Sequence, residues 1–387
     1  MLTSRRFQLP KLYDVSRGLY RCTLPFHFHV GRLRGKQASA SDDSPEGEKE
    51  IEFRLHKSKG QHLLVNPRVL DNILREADVR RTDTVLEIGP GTGNLTLKLL
   101  EACRRVVAVE IDRRMVAVLL QRVADHGSQQ KLTVIQKDAL KVEFPQFDIV
   151  VANIPYGISS PLIFKLVYGE SRFRSATLLL QHEFAKRLLA NPGESEYNRL
   201  AANVKLVADV TPGFKVSKRD FLPIPKVDSS VVTIRPKAQI PDVNIAEWLA
   251  FTRTCFGKKN KTLGATFKQK RKLAEIFRTS MENEMNKECS VDGYRDNQNI
   301  SDKDDSSEED TEEPTEDCLP AHAVESEISL FREKIIRVLR SCGFEDKRPS
   351  KLSNGNLLHL LELLNDAGVY FRDCRKPQAE NHANAML

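Results

Sequence analysis

The chain has no apolar run approaching the roughly 18–20 residues needed to cross a bilayer, so it offers no candidate membrane-spanning helix and is expected to be soluble. It also lacks paired cysteines. Its seven (Cys22, Cys103, Cys255, Cys289, Cys318, Cys342 and Cys374) are scattered singly, with no CxxC spacing. That argues against a disulfide framework and a zinc site and suits a reducing compartment. His27 and His29 have no acidic or cysteine partner nearby, and no metal is expected. Acid is scarce at the amino terminus. Residues 1–36 hold eight Lys/Arg against Asp14 alone, and lack the continuous apolar core of a secretory signal. Arg-rich, Ser-containing and acid-poor composition is that of an organelle transit peptide, with a basic nucleic-acid-binding arm as the other reading.

What is present is room for two ordinary domains: 387 residues, 40% hydrophobic, with a net charge of +7 spread unevenly. Residues 37–51 read as a linker. From 52 to 240 short β-rich runs alternate with amphipathic helical runs. The strands fall at 84–89, 105–111, 132–138, 147–153 and 176–181, with a late pair near 214–217 and 230–235. Alternation of this kind predicts an α/β fold with a mostly parallel sheet, and the closely spaced last pair suggests an antiparallel edge. Residues 241–280 and 328–375 read as a small helical domain. Within it, 251–274 carries eight Lys/Arg and no acid, interleaved with Phe251, Phe256 and Phe267. Between its two parts, 281–327 reads as a disordered insert, because 301–317 holds ten acids against one Lys.

The chemistry gathers at strand ends. "LEIGPGTGNLT" (86–96) follows a strand and opens a helix, and Gly89, Gly91 and Gly93 allow a tight turn and close approach to a ligand. Such a turn alone is weak evidence of ligand class, and its spacing is GxGxG rather than GxGxxG. Glu110 ends the second strand, where a carboxylate can take two ribose hydroxyls. Asp138 ends the third, where it can accept from an adenine amine. Together the three strand ends favour an adenosine cofactor. The fourth strand ends in Asn153-Ile154-Pro155-Tyr156. An exocyclic adenine amine is a poor nucleophile, since its lone pair is delocalised into the ring. The Asn153 side-chain oxygen and the Ile154 carbonyl can hold its two N–H bonds and localise that pair. Pro155 would fix the carbonyl and Tyr156 would stack on the base.

At this point the chain resembles the rRNA adenine N6-dimethyltransferases. "KGQHLLVNP" (59–67), "LEIGPGTGNLT", "VVAVEID", "QKDAL", "NIPY" and "FLPIPKVDSSV" (221–231) follow in that family's order. Leu63 stands where an aromatic is common and Ile154 where Leu is usual; neither removes a functional group. The resemblance implies a Rossmann-like S-adenosylmethionine-dependent methyltransferase sheet with a small C-terminal helical domain. It implies that Gln61, His62, Leu64, Gly89, Gly91, Glu110, Asp138 and Asn153 line the S-adenosylmethionine site. It implies that Asn153, Pro155 and Tyr156 hold the target adenine, with Phe221 on its other face. "KKNKTL" (258–263) resembles the family's RNA-facing region and points to Lys258, Lys259 and Lys261. The implied activity is N6-dimethylation of two adjacent adenosines in the 3′-terminal hairpin of small-subunit rRNA, by a monomer. The transit-like composition of residues 1–36, not the resemblance, points to the mitochondrion, with the nucleolus as the alternative. A transcription-factor-like role, a DNA adenine methyltransferase and an NAD-dependent oxidoreductase are the rivals. The intact NIPY and cofactor residues weigh against a loss of catalysis but not against a second role. The "FLPIPKVDSS" resemblance weighs against the DNA enzyme, and GxGxG with NIPY against the oxidoreductase.

Overall fold

The computed structural model describes residues 62–291 and 321–372, with side chains over 62–284 and 325–372, besides a short strand pair at Cys22–Thr23 and His27–Phe28. Gln61, the expected transit segment 1–36 apart from that strand pair, the linker 37–51 and the acidic stretch 301–317 lie outside the described residues. The described chain divides into two compact units. One falls within 1–185 and 211–235, the other within 186–210 and 236–387.

The first unit is built on strands that read as continuous apolar runs, the pattern of a sheet covered on both faces. In chain order its elements are β1 (Leu63–Leu64), α1 (Pro67–Glu76), β2 (Thr84–Ile88), α2 (Asn94–Ala102), β3 (Arg105–Val109), α3 (Arg113–Asp125), β4 (Leu132–Ile135), β5 (Ile149–Asn153), α4 (Ser159–Tyr168) and β6 (Ser175–Gln181). After α5 (His182–Leu189) and α6 (Arg199–Val207) come β7 (Ala208–Val216), β8 (Phe221–Leu222) and β9 (Ser229–Pro236). The seven-stranded sheet has the order β4-β3-β2-β5-β6-β9-β7. Its first five strands are mutually parallel, and β9 runs antiparallel to β6. The expected α/β class and late strand pair at one edge are therefore present. The chain leaves β2 for β3 and β4, then crosses to β5 on the other side. That reversal opens a crevice at the carboxyl ends of β2 and β5, where open α/β sheets bind ligands.

Helix starts follow local sequence. Asn66 caps α1 by accepting from the Arg68 N–H, with Pro67 at the first helical position. Asp112 caps α3 by accepting from the Arg114 N–H. At the head of α2 stands Gly93 at φ +87, where an added Cβ would come 2.6 Å from Leu119 Cδ1. Only glycine fits there.

The second unit is helical: α6, α7 (Ile245–Phe256), α8 (Leu263–Phe267), α9 (Lys270–Val291), α10 (Ala321–Ser341) and α11 (Asn354–Asp366). It takes in residues 186–210, which the strand–helix alternation places inside a continuous 52–240 segment. Two polar bonds show why. Thr252 Oγ1 donates to Asn203 Oδ1 (2.9 Å, buried), and Asn354 Nδ2 donates to the Ala202 carbonyl (2.9 Å). Of the expected insert 281–327, residues 281–291 and 321–327 are helical, because α9 runs on to Val291 and α10 begins at Ala321; residues 292–320 lie outside the described residues. The three aromatics of the basic segment are core residues rather than a stacking surface. Phe251 and Phe267 are wholly buried, Phe256 is 9% exposed, and Phe251 and Phe267 pack edge-on against Phe371. Apolar burial outweighs any use of those rings on RNA.

Candidate active site

A cleft of about 720 Å³ opens where β2, β3, β4 and β5 end, all within the first unit. Its floor is the glycine turn. Gly89 (φ +68) and Gly91 (φ +58) adopt left-handed backbone, and a Cβ on Gly91 would approach Leu63 Cδ2 to 2.8 Å. Glu110 follows the last residue of β3, and is 8% exposed. Its Oε2 accepts from the Gly91 N–H (3.2 Å) and its Oε1 from the Asp112 N–H (2.9 Å), so the acid also fixes the turn. Burial raises its carboxyl above the usual range, opposed by the backbone donors. Beneath the turn Glu87 is fully buried, and desolvation pushes its carboxyl up to about 8; Thr96 Oγ1 donates to it at 2.6 Å.

β4 ends at Ile135, so Asp138 lies in the turn beyond the strand rather than at its last residue. Its Oδ1 accepts from the Leu140 N–H (2.9 Å), which leaves Oδ2 for a ligand donor, and Lys137, Asp138, Ala139 and Leu140 all line the cleft.

Asn153 is the last residue of β5, and its Nδ2 donates to the His62 carbonyl (3.1 Å). With the amide nitrogen turned toward that carbonyl, Oδ1 remains as an acceptor. The Ile154 N–H is paired to the Leu179 carbonyl (3.3 Å), which fixes the peptide next to it. Pro155 Cδ would lie 3.2 Å from a Cβ on Gly89, so the clamp and the glycine turn touch. The Tyr156 hydroxyl and Ser229 Oγ share a hydrogen bond (3.0 Å), and the His62 ring stacks on Tyr156 at 5.9 Å between centroids. The His62 Nδ1 is held at 2.7 Å by the Pro223 carbonyl. A carbonyl only accepts, so Nδ1 carries the proton.

The structure thus brings His62, Leu64, Gly89, Gly91, Glu110, Asp138, Asn153, Pro155 and Tyr156 to one cleft. Phe221, expected to stack on the adenine, is not among the lining residues. It is wholly buried, and its strand pairs with Leu64 of β1. In this conformation its ring is core, and it serves the site by seating the His62–Leu64 segment. Ile111, Asn94 and Leu140 line the cleft without having been singled out from sequence. Ile111 carried a usable signal: a large apolar residue directly after a strand-end acid, 68% exposed.

A model of the family described as ribosomal RNA adenine dimethylase matches residues 52–302. This chain belongs to that family. It is therefore an rRNA adenine dimethyltransferase, and membership implies use of S-adenosylmethionine. A relative in Arabidopsis thaliana named "Ribosomal RNA small subunit methyltransferase, mitochondrial" is 60% identical over 85% of this chain and 83% of its own. A second Arabidopsis protein, "Ribosomal RNA small subunit methyltransferase", is 46% identical over 88% and 99%. The crystal structure of a dimethyladenosine transferase from Plasmodium falciparum superposes with a TM-score of 0.64 at 37% identity, covering 80% of this chain and all of that one. The α/β methyltransferase fold of the dimethyltransferases is thus the fold found here.

In the helical unit the three lysines singled out from sequence sit in the turn between α7 and α8. Lys258 and Lys261 are exposed, while Lys259 Nζ donates to the Ser195 carbonyl (3.0 Å). Lys259 also lines a recess of about 520 Å³ with Arg199, Arg253 and Lys272. Arg199 is held below its usual range by burial and by the charge of Arg253. Four cations lining one recess make a surface suited to phosphate.

Proposed function

We propose that this enzyme transfers methyl groups from S-adenosylmethionine to N6 of two adjacent adenosines in the 3′-terminal hairpin of small-subunit rRNA, as a monomer, in the mitochondrion. The observation that carries the reading is the orientation of Asn153. Its amide nitrogen is tied to the His62 carbonyl, and its oxygen is left as an acceptor on the wall of the glycine-floored cleft.

The residues fit the cofactor. The cleft has the volume of a nucleoside-sized site. The Gly91 backbone admits no side chain, and a mostly buried carboxylate stands at the end of β3 where a ribose diol would bind. When bound, S-adenosylmethionine supplies an electrophilic methyl group on a sulfonium. The chain's part is to hold the other reactant. Asn153 Oδ1 and the Ile154 carbonyl accept the two N–H bonds of the target amine, drawing its lone pair out of the ring. Pro155 fixes the direction of the second acceptor, and Tyr156 stacks on a base taken out of its helix. The amine's surplus proton leaves to solvent after transfer, so no strong base is needed. Positioning and electrostatics carry the step.

Glu110→Ala is expected to weaken S-adenosylmethionine binding by ~1.5–3 kcal/mol, the scale of a charge-assisted hydrogen-bonded pair. Because the diol needs the ionised acid, wild-type affinity should fall on acidification from a higher pH than an ordinary carboxylate would give, and this slope should vanish in the variant. Calorimetry across pH checks both; equal affinity in the two proteins would remove Glu110 from the cofactor site.

RNA is read as tracking the basic face of the helical unit. Neutralising Lys258, Lys259 and Lys261 together should weaken rRNA binding. It should also flatten the dependence of log affinity on log salt by up to about 0.7–0.9 for each phosphate no longer neutralised. Filter binding at several salt concentrations measures this; an unchanged slope would place the RNA elsewhere.

The test of the whole reading is to deplete the protein and map dimethyladenosine in mitochondrial and cytosolic small-subunit rRNA. Loss confined to the mitochondrial molecule is the expected result, with residues 1–36 carrying a fused reporter to mitochondria. Loss from cytosolic rRNA alone would reassign the compartment, and retention in both would overturn the substrate.

A further inference from the structure

Lys165 is a charged residue on α4, the helix that follows the Asn153–Tyr156 clamp. Its ammonium donates to the carbonyls of Ala139 (2.9 Å) and Val142, and lies 4.4 Å from the centroid of the Phe144 ring. Those carbonyls belong to the turn that follows β4. The turn closes on Asp138: the Lys141 and Val142 N–H groups donate to its carbonyl (both 3.0 Å), and the Leu140 N–H donates to its Oδ1 (2.9 Å).

The helix does not need this lysine for packing. Leu162, Ile163, Phe164 and Leu166 already bury its apolar face. The ammonium instead serves two carbonyls whose own residues are 7% and 8% exposed, and which would otherwise lose a donor. The carboxylates of Asp138 and Glu143 add attraction. One side chain therefore ties the clamp helix to the turn that presents Asp138 to the cleft.

We propose that Lys165 is a positioning residue that sets the cleft's preference for an amine-bearing purine. By holding the 138–142 turn it fixes the Asp138 carboxylate, which accepts from an exocyclic amine and repels a carbonyl oxygen in the same place. The inference rests on the reading of Asp138 as the acid that meets the cofactor's adenine. Its ligand chemistry is thus an adenosyl group discriminated from an inosyl group.

The experiment is calorimetric binding of S-adenosylhomocysteine and S-inosylhomocysteine to the full chain, with amide exchange at Leu140 followed in the ligand-free protein. Wild type should prefer the adenosyl ligand by roughly 10–100-fold, the scale of one charge-assisted hydrogen bond. Lys165→Met should cut that ratio by about tenfold, mostly by weakening the adenosyl ligand, and should speed exchange at Leu140. Lys165→Arg, which keeps donors for both carbonyls, should retain most of the ratio. Asp138→Ala should abolish the preference whatever stands at 165. If Asp138→Ala leaves the preference intact, the reading of Asp138 fails and the proposal falls with it. If Asp138→Ala removes the preference while Lys165→Met keeps the wild-type ratio, the role given to Lys165 alone is overturned. An equal loss of both ligands in Lys165→Met would likewise reduce it to a structural prop. Should Lys165→Met not fold, Lys165→Leu, which likewise offers no donor to either carbonyl, replaces it with the same expected loss of ratio.

Discussion

Asn153→Ala should lower the rate of methyl transfer by about 10²–10³ or more, the scale seen when one preorganised polar group facing a reacting centre is removed. The variant should still fold and bind cofactor. Among the described residues the side chain makes one hydrogen bond, to the His62 carbonyl at 3.1 Å. Losing it costs on the order of 1 kcal/mol of stability. The catalytic loss is larger because the acceptor acts on an amine that is otherwise almost non-nucleophilic. Single-turnover kinetics on a small-subunit rRNA hairpin separate this from binding: kcat should collapse while RNA and cofactor affinities stay within a few-fold. Wild-type turnover in the variant would sink the mechanism. The neighbouring position should behave differently. Tyr156→Ala should chiefly weaken capture of the adenine, by ~1–3 kcal/mol of lost stacking. Tyr156→Phe should be milder, since it loses only the bond to Ser229 Oγ.

The parallel sheet was legible because its strands are apolar runs separated by helical periodicity. All five parallel strands overlap the expected spans, with β3 and β4 ending two to three residues early. The cleft was legible for a related reason. Ligands in such sheets bind at strand ends, so Gly89, Glu110, Asp138 and Asn153 could be placed together from position alone. Depth was not legible. Phe221 carries a stacking ring, but pairing of β8 with β1 draws it into the core. Phe251 and Phe267 lie among lysines in sequence, yet the α7–α8 connection turns the lysines outward and the rings inward. Nor was the membership of α6 legible, since its attachment to the helical unit depends on Asn203 meeting Thr252, 49 residues away. Side-chain pairings across such distances leave no periodic trace.

Glu87 is an acid inside the apolar strand "TVLEI", and its replacement should change how stability depends on pH. It is 1% exposed, and its carboxyl is pushed up to about 8 by desolvation, with the nearby charge of Glu110 adding to the rise. An ordinary glutamate in the unfolded chain releases its proton near 4.5. Between these values the folded protein holds a proton that the unfolded chain has given up. The resulting stability is full below the lower value and is lost as pH rises through the upper one, by roughly 3–5 kcal/mol in all. Glu87→Gln removes that component, because the amide does not titrate. It can still accept from Thr96 Oγ1, but its second N–H needs an acceptor that a protonated acid did not require. The variant should therefore match or fall slightly below wild type at pH 5 and exceed it at pH 9, so the two stability curves cross. Urea unfolding at a series of pH values, read as the slope of ΔG against pH, checks this without relying on absolute stabilities. Parallel slopes between pH 5 and 9 would mean that Glu87 is ionised in the folded protein, with the Thr96 hydroxyl stabilising its charge.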